Sequence, residues 1–222
     1  MRRRNPIMKK PRRRLTDCLA VFALLVLASG CARGGDSEAL LRDDFGNPRS
    51  GWGVDQREQF ERGYGEGEYF IELHAPNWFA WAYPGERFDD VSVETDAHLS
   101  SGPPDGHFGV ICRHVDPGNF YYFAVSADGY YAIFRRMDGG NLDVLTTDGR
   151  GMAPSPSIRT DGQLNHVQAT CQGSELSLYV NGELLETVTD DAHRRGDVGV
   201  GAGSGPVGDV LIRFDDFLVT TP

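Results

Sequence analysis

The stretch LSLYVNGELLETVT, residues 176–189, sets two alternating apolar runs on either side of Asn181-Gly182. Both central residues of a type I′ turn need positive φ, which Asn and Gly tolerate, so this pattern predicts a β-hairpin. The same grammar extends outward. NHVQATCQG (165–173) precedes the hairpin, and DVGVGA (197–202) and VLIRFDDFLVT (210–220) follow it. Upstream lie EYFIELH (68–74), FAWAYP (79–84), VSVETDAHL (91–99), HFGVICRHV (107–115), FYYFAVS (120–126) and YYAIFRR (130–136). Turn clusters such as SSGPPDG (100–106) and SADG (126–129) separate them, and no segment sustains a helical period. Many short strands at this spacing predict an all-β sandwich or barrel. FYYFAVS carries apolar weight on both faces, as a central strand requires. The similar end segments LLRDDF (40–45) and IRFDDFLV (212–219) are expected side by side in one sheet. Gly-rich GVGAGSGP (199–206) reads as a loop, because no helix N-terminus follows it to hold an anion.

The first thirty residues read as an export signal and not as part of the fold. Residues 1–14 hold eight Arg and Lys and no acid, and CLAVFALLVLA (18–28) is a short apolar run before Ser29-Gly30-Cys31. It is shorter than the roughly 20 apolar residues that a membrane helix needs. LASGC (27–31) resembles a bacterial lipobox, with Ala28 where Leu is more usual. That likeness implies a diacylated Cys31, a tether over residues 31–40, and a cell-envelope protein held at a membrane by lipid alone. Simple secretion with an unmodified Cys31 is the alternative.

Charge and cysteines narrow the partners. The chain carries −10 formally, but residues 31–222 hold 14 Arg, no Lys and 31 acids, giving −17. So acidic a domain repels nucleic acid and anionic head groups. Beyond Cys18 and Cys31 only Cys112 and Cys171 remain, an even pair in an exported chain, which points to a disulfide. Two buried free thiols are the other possibility. No nucleophile elbow, zinc helix or phosphate loop is present.

A family likeness rests on these pieces in order: DDF (43–45), SGW (50–52), GEYFIEL (67–73), FDDVSVETDA (88–97), GVICR (109–113), NFYYFAVSADGYYAIFR (119–135), LNHVQATCQGSELSLYVNGELL (164–185), GDVGVGA (196–202) and FDDFLV (214–219). Together they resemble the concanavalin A-like lectin/glucanase superfamily, above all its laminin-G-like and 3-keto-disaccharide-hydrolase-like bacterial branches. The resemblance implies one domain over residues 41–222, two curved antiparallel sheets in a jelly roll, and a concave face that binds sugars in many members. It leaves function open, since the fold hosts lectins, glycosidases and adhesion modules.

Candidate site residues follow from strand alternation. In VSVETDAHL, Glu94, Asp96 and His98 share a face with Ser92, while Val91, Val93, Thr95, Ala97 and Leu99 share the other. Family-16 glycosidases carry an E-x-D-x-E strand, and this sequence offers Glu94-x-Asp96 with His98 in place of the last glutamate. Retaining hydrolysis needs two carboxyls about 5–5.5 Å apart, so the lost glutamate argues against that chemistry. A polar face turned to water gives the same alternation, and the face also suits ligand contacts. In APNWFAWAYP (75–84), Phe79, Trp81 and Tyr83 share one face in a pattern that suits core filling, with Trp78 the more exposed ring. Trp78 and Trp81 are also the natural platforms for a sugar ring. Arg113 and Tyr122 are weaker ligand candidates, and among so many acids a structural salt bridge is the favoured use of Arg113. The acidic pairs 43–44, 89–90, 190–191 and 215–216 admit Ca²⁺ without naming a site, and no other cofactor is implied. The sequence thus favours a non-enzymatic, lectin-like envelope protein. An enzyme acting on a glycan or modified disaccharide, and a structural or protein-interaction module, are the rivals.

Overall fold

The computed structural model describes residues 38–146 and 149–222. The signal segment, Cys31 and the tether up to residue 37 lie outside the described residues. The remainder is built from seventeen strands, numbered in chain order, in two antiparallel sheets. The nine-stranded sheet holds β1 (Ala39–Asp43), β2 (Asp55–Gln56), β3 (Phe60–Gly65), β4 (Glu68–Leu73), β7 (Val91–Ser101), β13 (Asn165–Gln172), β14 (Glu175–Val180), β15 (Glu183–Thr189) and β17 (Val210–Thr220). The eight-stranded sheet holds β5 (Phe79–Ala82), β6 (Arg87–Phe88), β8 (His107–Asp116), β9 (Asn119–Ser126), β10 (Tyr130–Arg136), β11 (Leu142–Val144), β12 (Ala153–Pro154) and β16 (Gly196–Gly203).

The hairpin that decides the fold forms as its turn chemistry requires. Val180 faces Glu183 across Asn181 and Gly182, whose φ angles are 52° and 86°. The terminal strands meet as well: β1 pairs with β17 from Asp43–Phe217 to Ala39–Thr220. Pairing the ends ties down the segment most prone to fray.

Alternation assigns the inner faces. Val91, Val93, Ala97 and Leu99 of β7 meet Phe108, Val110 and Cys112 of β8 and Tyr121, Phe123 and Val125 of β9 in one apolar core. Burying each such Val, Leu, Ile or Phe contributes about 1.5–3 kcal/mol. Cys112 and Cys171 are joined by a disulfide that ties β8 in one sheet to β13 in the other.

Two expectations are corrected here. GVGAGSGP is not a loop throughout: residues 199–203 belong to β16, which lies between β8 and β5 inside the eight-stranded sheet. Gly201 and Gly203 suit this strand because rings from its neighbours occupy the space above them. The aromatic side of β5 also does not fill the core. Ala80 and Ala82 face inward, and Phe79 and Trp81 pack on a second apolar cluster with Ile111, Phe120, Tyr122, Ala124, Ala132 and Phe134 on the outward face of the eight-stranded sheet.

Candidate functional site

An outward sheet face is ordinarily polar, so an apolar one needs a reason. Here the face is built by small residues under large ones. A Cβ on Gly201 would stand 2.9 Å from Phe79 Cζ and 3.1 Å from a Tyr122 ring carbon. One on Gly203 would stand 2.1 Å from the His107 ring, and one on Gly199 would stand 2.1 Å from the Ala82 carbonyl oxygen. The bare backbone of β16 thus lets rings from β5, β8 and β9 lie low over it. Phe79 stacks on Trp81 at 5.7 Å between centroids, on Phe120 at 5.9 Å, and tilts over Tyr122 at 4.8 Å. Trp81 and Tyr83 also lean on His114, at 6.0 and 4.7 Å.

The loop before β5 is pinned. Ser204 Oγ accepts from the Trp78 amide at 3.0 Å and donates to the Ala75 carbonyl at 2.7 Å, and the Asn77 amide donates to Gly205 O at 2.9 Å. This fixes the backbone of Trp78 while the residue remains 39 % exposed. Trp78, Phe79 and Trp81 form a ridge between two open grooves. One, of about 310 Å³, is lined also by Phe60, Arg62, Tyr83 and Pro117. The other, of about 710 Å³, adds Asn77, His107, Arg136, Asn141, Leu142 and Ser204. A platform of rings beside a few fixed polar groups is the arrangement that receives the apolar C–H face of a sugar and its rim of hydroxyls.

The polar groups have defined states. Tyr122 OH donates to Gly201 O at 3.2 Å, and its oxygen lies 3.1 Å from His107 Nδ1. With the tyrosine proton committed to Gly201, His107 donates through Nδ1 and leaves Nε2 an acceptor. Burial pushes the His107 imidazole down to about 4 and the Tyr122 hydroxyl well above its ordinary value. His107 is therefore neutral at pH 7.

The sequence candidates divide between two faces. Trp78 and Trp81 lie on the aromatic face. Tyr122 lies beneath it, fully buried, so it supports Phe79 and His107 and has no surface for a ligand. Arg113 is also withdrawn from any ligand: it is 1 % exposed and its φ is +53°. A register shift in β8 between Cys112 and Asp116 breaks the alternation, so His114, not Arg113, joins the outward rings. Arg113 instead donates to the carbonyls of Asp89, Gly173 and His193 at 3.1, 2.8 and 3.1 Å and to Asp90 at 3.0 Å.

Glu94, Asp96 and His98 lie on the outward face of the other sheet, half-buried. There the partner that sequence reading missed is His166 of β13, directly across from Asp96. Its Nδ1 lies 2.8 Å from Asp96 and its Nε2 3.7 Å from Glu94. The Glu94 carboxylate, and then that of Asp96, hold His166 up to about 9 against the opposing effect of burial. At neutral pH an imidazolium therefore sits between the two acids and occupies both. His98 faces Arg213 of β17.

Most of the paired acids have structural partners. Asp43 accepts from Trp52 Nε1 and the Phe45 amide, and Asp90 from Arg113 and the Gly173 amide. Asp190 accepts from Tyr121 and Arg135, and Asp89 from Arg195. The one metal-compatible group among the described residues is Glu61, Glu72 and His74, away from these pairs.

No family model and no curated protein matches the chain. Solved structures do. A protein of galectin-like fold from Bacillus subtilis aligns with TM-score 0.59 and 13% identity, over 83% of this chain and 97% of that one. The carbohydrate-binding module CBM66 from Bacillus subtilis aligns at 0.52 and 18%, over 77% and 96%. SCLam, a non-specific endo-β-1,3(4)-glucanase of family GH16, aligns at 0.58 and 10%, over 83% and 91%. At such identities the likeness speaks for fold alone, and it places the chain among the jelly-roll sandwiches shared by lectins and glucanases.

Proposed function

We propose that this protein is a non-catalytic carbohydrate-binding protein whose ligand lies across the aromatic face of the eight-stranded sheet. The observation that carries the reading is the ridge of Trp78, Phe79 and Trp81 between two grooves, with Phe79 set directly over Gly201, where a sheet would otherwise be polar. The presence of a carbohydrate-binding module among the structures of like fold agrees with it. Glycoside hydrolases also share the fold, but hydrolysis needs a pair of carboxyls beside the sugar. Among the described residues no aspartate or glutamate lines either groove, and Glu94 and Asp96 are on the opposite side of the sandwich, bound to His166. Export through the basic, apolar leader and lipid attachment at Cys31 complete the proposal, which makes the protein a sugar-binding component of the bacterial envelope.

The test uses residues 32–222 incubated with insoluble polysaccharides and cell-wall fractions. The expected result is retention on at least one of them with no new reducing ends in the supernatant. Release of reducing ends would make the protein an enzyme. Absence of retention on every glycan would favour a structural or protein-interaction module.

A further inference from the structure

The side chains that line the grooves differ in charge from the molecule as a whole. Residues 31–222 carry 31 acids against 14 Arg, yet among the described residues those lining the two grooves include Arg62 and Arg136 and no carboxylate. The two arginines are not equivalent. Arg62 is spent on Asp55, which receives both its Nε and Nη2. Arg136 has no acid partner among the described residues. Its Nε donates to Gly140 O at 3.0 Å and its Nη2 to Gly139 O at 3.4 Å, and its guanidinium lies 5.9 Å from the Phe120 ring. Two carbonyls and a ring therefore hold the plane of the fork, while Nη1 has no partner among the described residues. A fixed, unneutralised guanidinium at the edge of a sugar platform matches a planar carboxylate better than a hydroxyl.

We infer that the larger groove takes an acidic glycan, with Arg136 receiving the carboxylate of a uronic acid whose ring rests on the Trp78–Phe79–Trp81 ridge. The inference rests on the proposed carbohydrate-binding role and adds its ligand class. The acidity of the rest of the surface does not oppose it strongly. Charges farther than about 8 Å are largely screened at physiological ionic strength, whereas the Arg136 contact is direct. His107 contributes no charge of its own, being neutral, and its Nε2 is left to accept from a sugar hydroxyl.

The test is titration of residues 32–222, the compact unit with its tether, with oligogalacturonate and oligomannuronate and with the carboxyl-reduced form of each. Reduction leaves the sugar chain and removes only the charge. The wild type is expected to bind at least one acid form about tenfold or more tightly than its reduced form, since a charged hydrogen bond contributes roughly 1.5–3 kcal/mol. Added salt should shrink that preference. Arg136→Gln should abolish that preference, and Arg136→Lys should restore only part of it. Trp81→Ala should weaken both forms. Equal binding of acid and reduced forms, or a preference that survives Arg136→Gln, overturns the inference while leaving carbohydrate binding in place. Binding of neither form, with retention on neutral polysaccharides, also overturns it. Retention on no glycan at all removes the underlying reading as well.

Discussion

A methyl group at position 201 would meet Phe79 at 2.9 Å and Tyr122 at 3.1 Å, so the smallest possible side chain there displaces a ring of the ridge. Gly201→Ala is therefore expected to cost about 1–3 kcal/mol of stability through overpacking and to lose glycan retention while the protein remains folded. Circular dichroism melts alongside retention assays check both halves. Arg113 makes the opposite case. Arg113→Met would strip donors from three carbonyls and should cost about 2 kcal/mol or more in urea unfolding, leaving glycan affinity unchanged in the surviving folded fraction. Neither role was fully legible in the sequence. The period-two glycines of VGVGAG are visible at 198–203, but which rings cover them depends on strands more than seventy residues upstream. Arg113 does make the structural ion pair that the acidic chain favoured for it, with Asp90, but the partner was not legible because only the shift in strand register at that residue turns the side chain inward.

At the scale of the element, β7 reads from the sequence almost as it stands. Its inward row of Val91, Val93, Thr95, Ala97 and Leu99 is buried, and its outward row of Glu94, Asp96 and His98 is half-exposed. What the strand does with those acids was not legible, because His166 reaches them from β13, whose pairing with β7 spans some seventy residues of sequence. That pairing has a pH signature. The folded value of His166 lies near 9, above the ordinary 6.5, so the folded state binds the extra proton more tightly than the unfolded one. Its stabilisation is complete below about pH 6.5 and is lost as pH rises through 9. The melting temperature should fall between pH 7 and 9.5, and His166→Gln should flatten that limb. A wild-type curve that stays level over this range would show that the imidazolium contributes nothing.

At the scale of the whole sandwich, the described residues form two sheets tied at a few points, and those ties set its stability. The Cys112–Cys171 disulfide closes a loop of sequence separation 59 between the sheets, which corresponds to roughly 4 kcal/mol of stabilisation in the chain-entropy picture. Replacing both cysteines with Ala should lower denaturant stability by about that amount while leaving retention intact below the unfolding transition. The sandwich itself, its terminal strand pair and its hairpin turns were readable because each follows from alternation and turn chemistry within a few residues. The aromatic face proposed for binding was not, since the same aromatic alternation in β5 suits an inner or an outer face until the Ala80–Ala82 side is seen to meet the core.

The measurement that bears most directly on this division of faces compares Trp81→Ala with the double variant Glu94→Gln, Asp96→Asn on whichever polysaccharide retains the wild type. The aromatic-face account predicts that Trp81→Ala loses retention by at least about tenfold and that the double variant binds as the wild type does. Retention that survives Trp81→Ala but disappears with the two carboxylates would contradict it and return the ligand to the VETDAH strand.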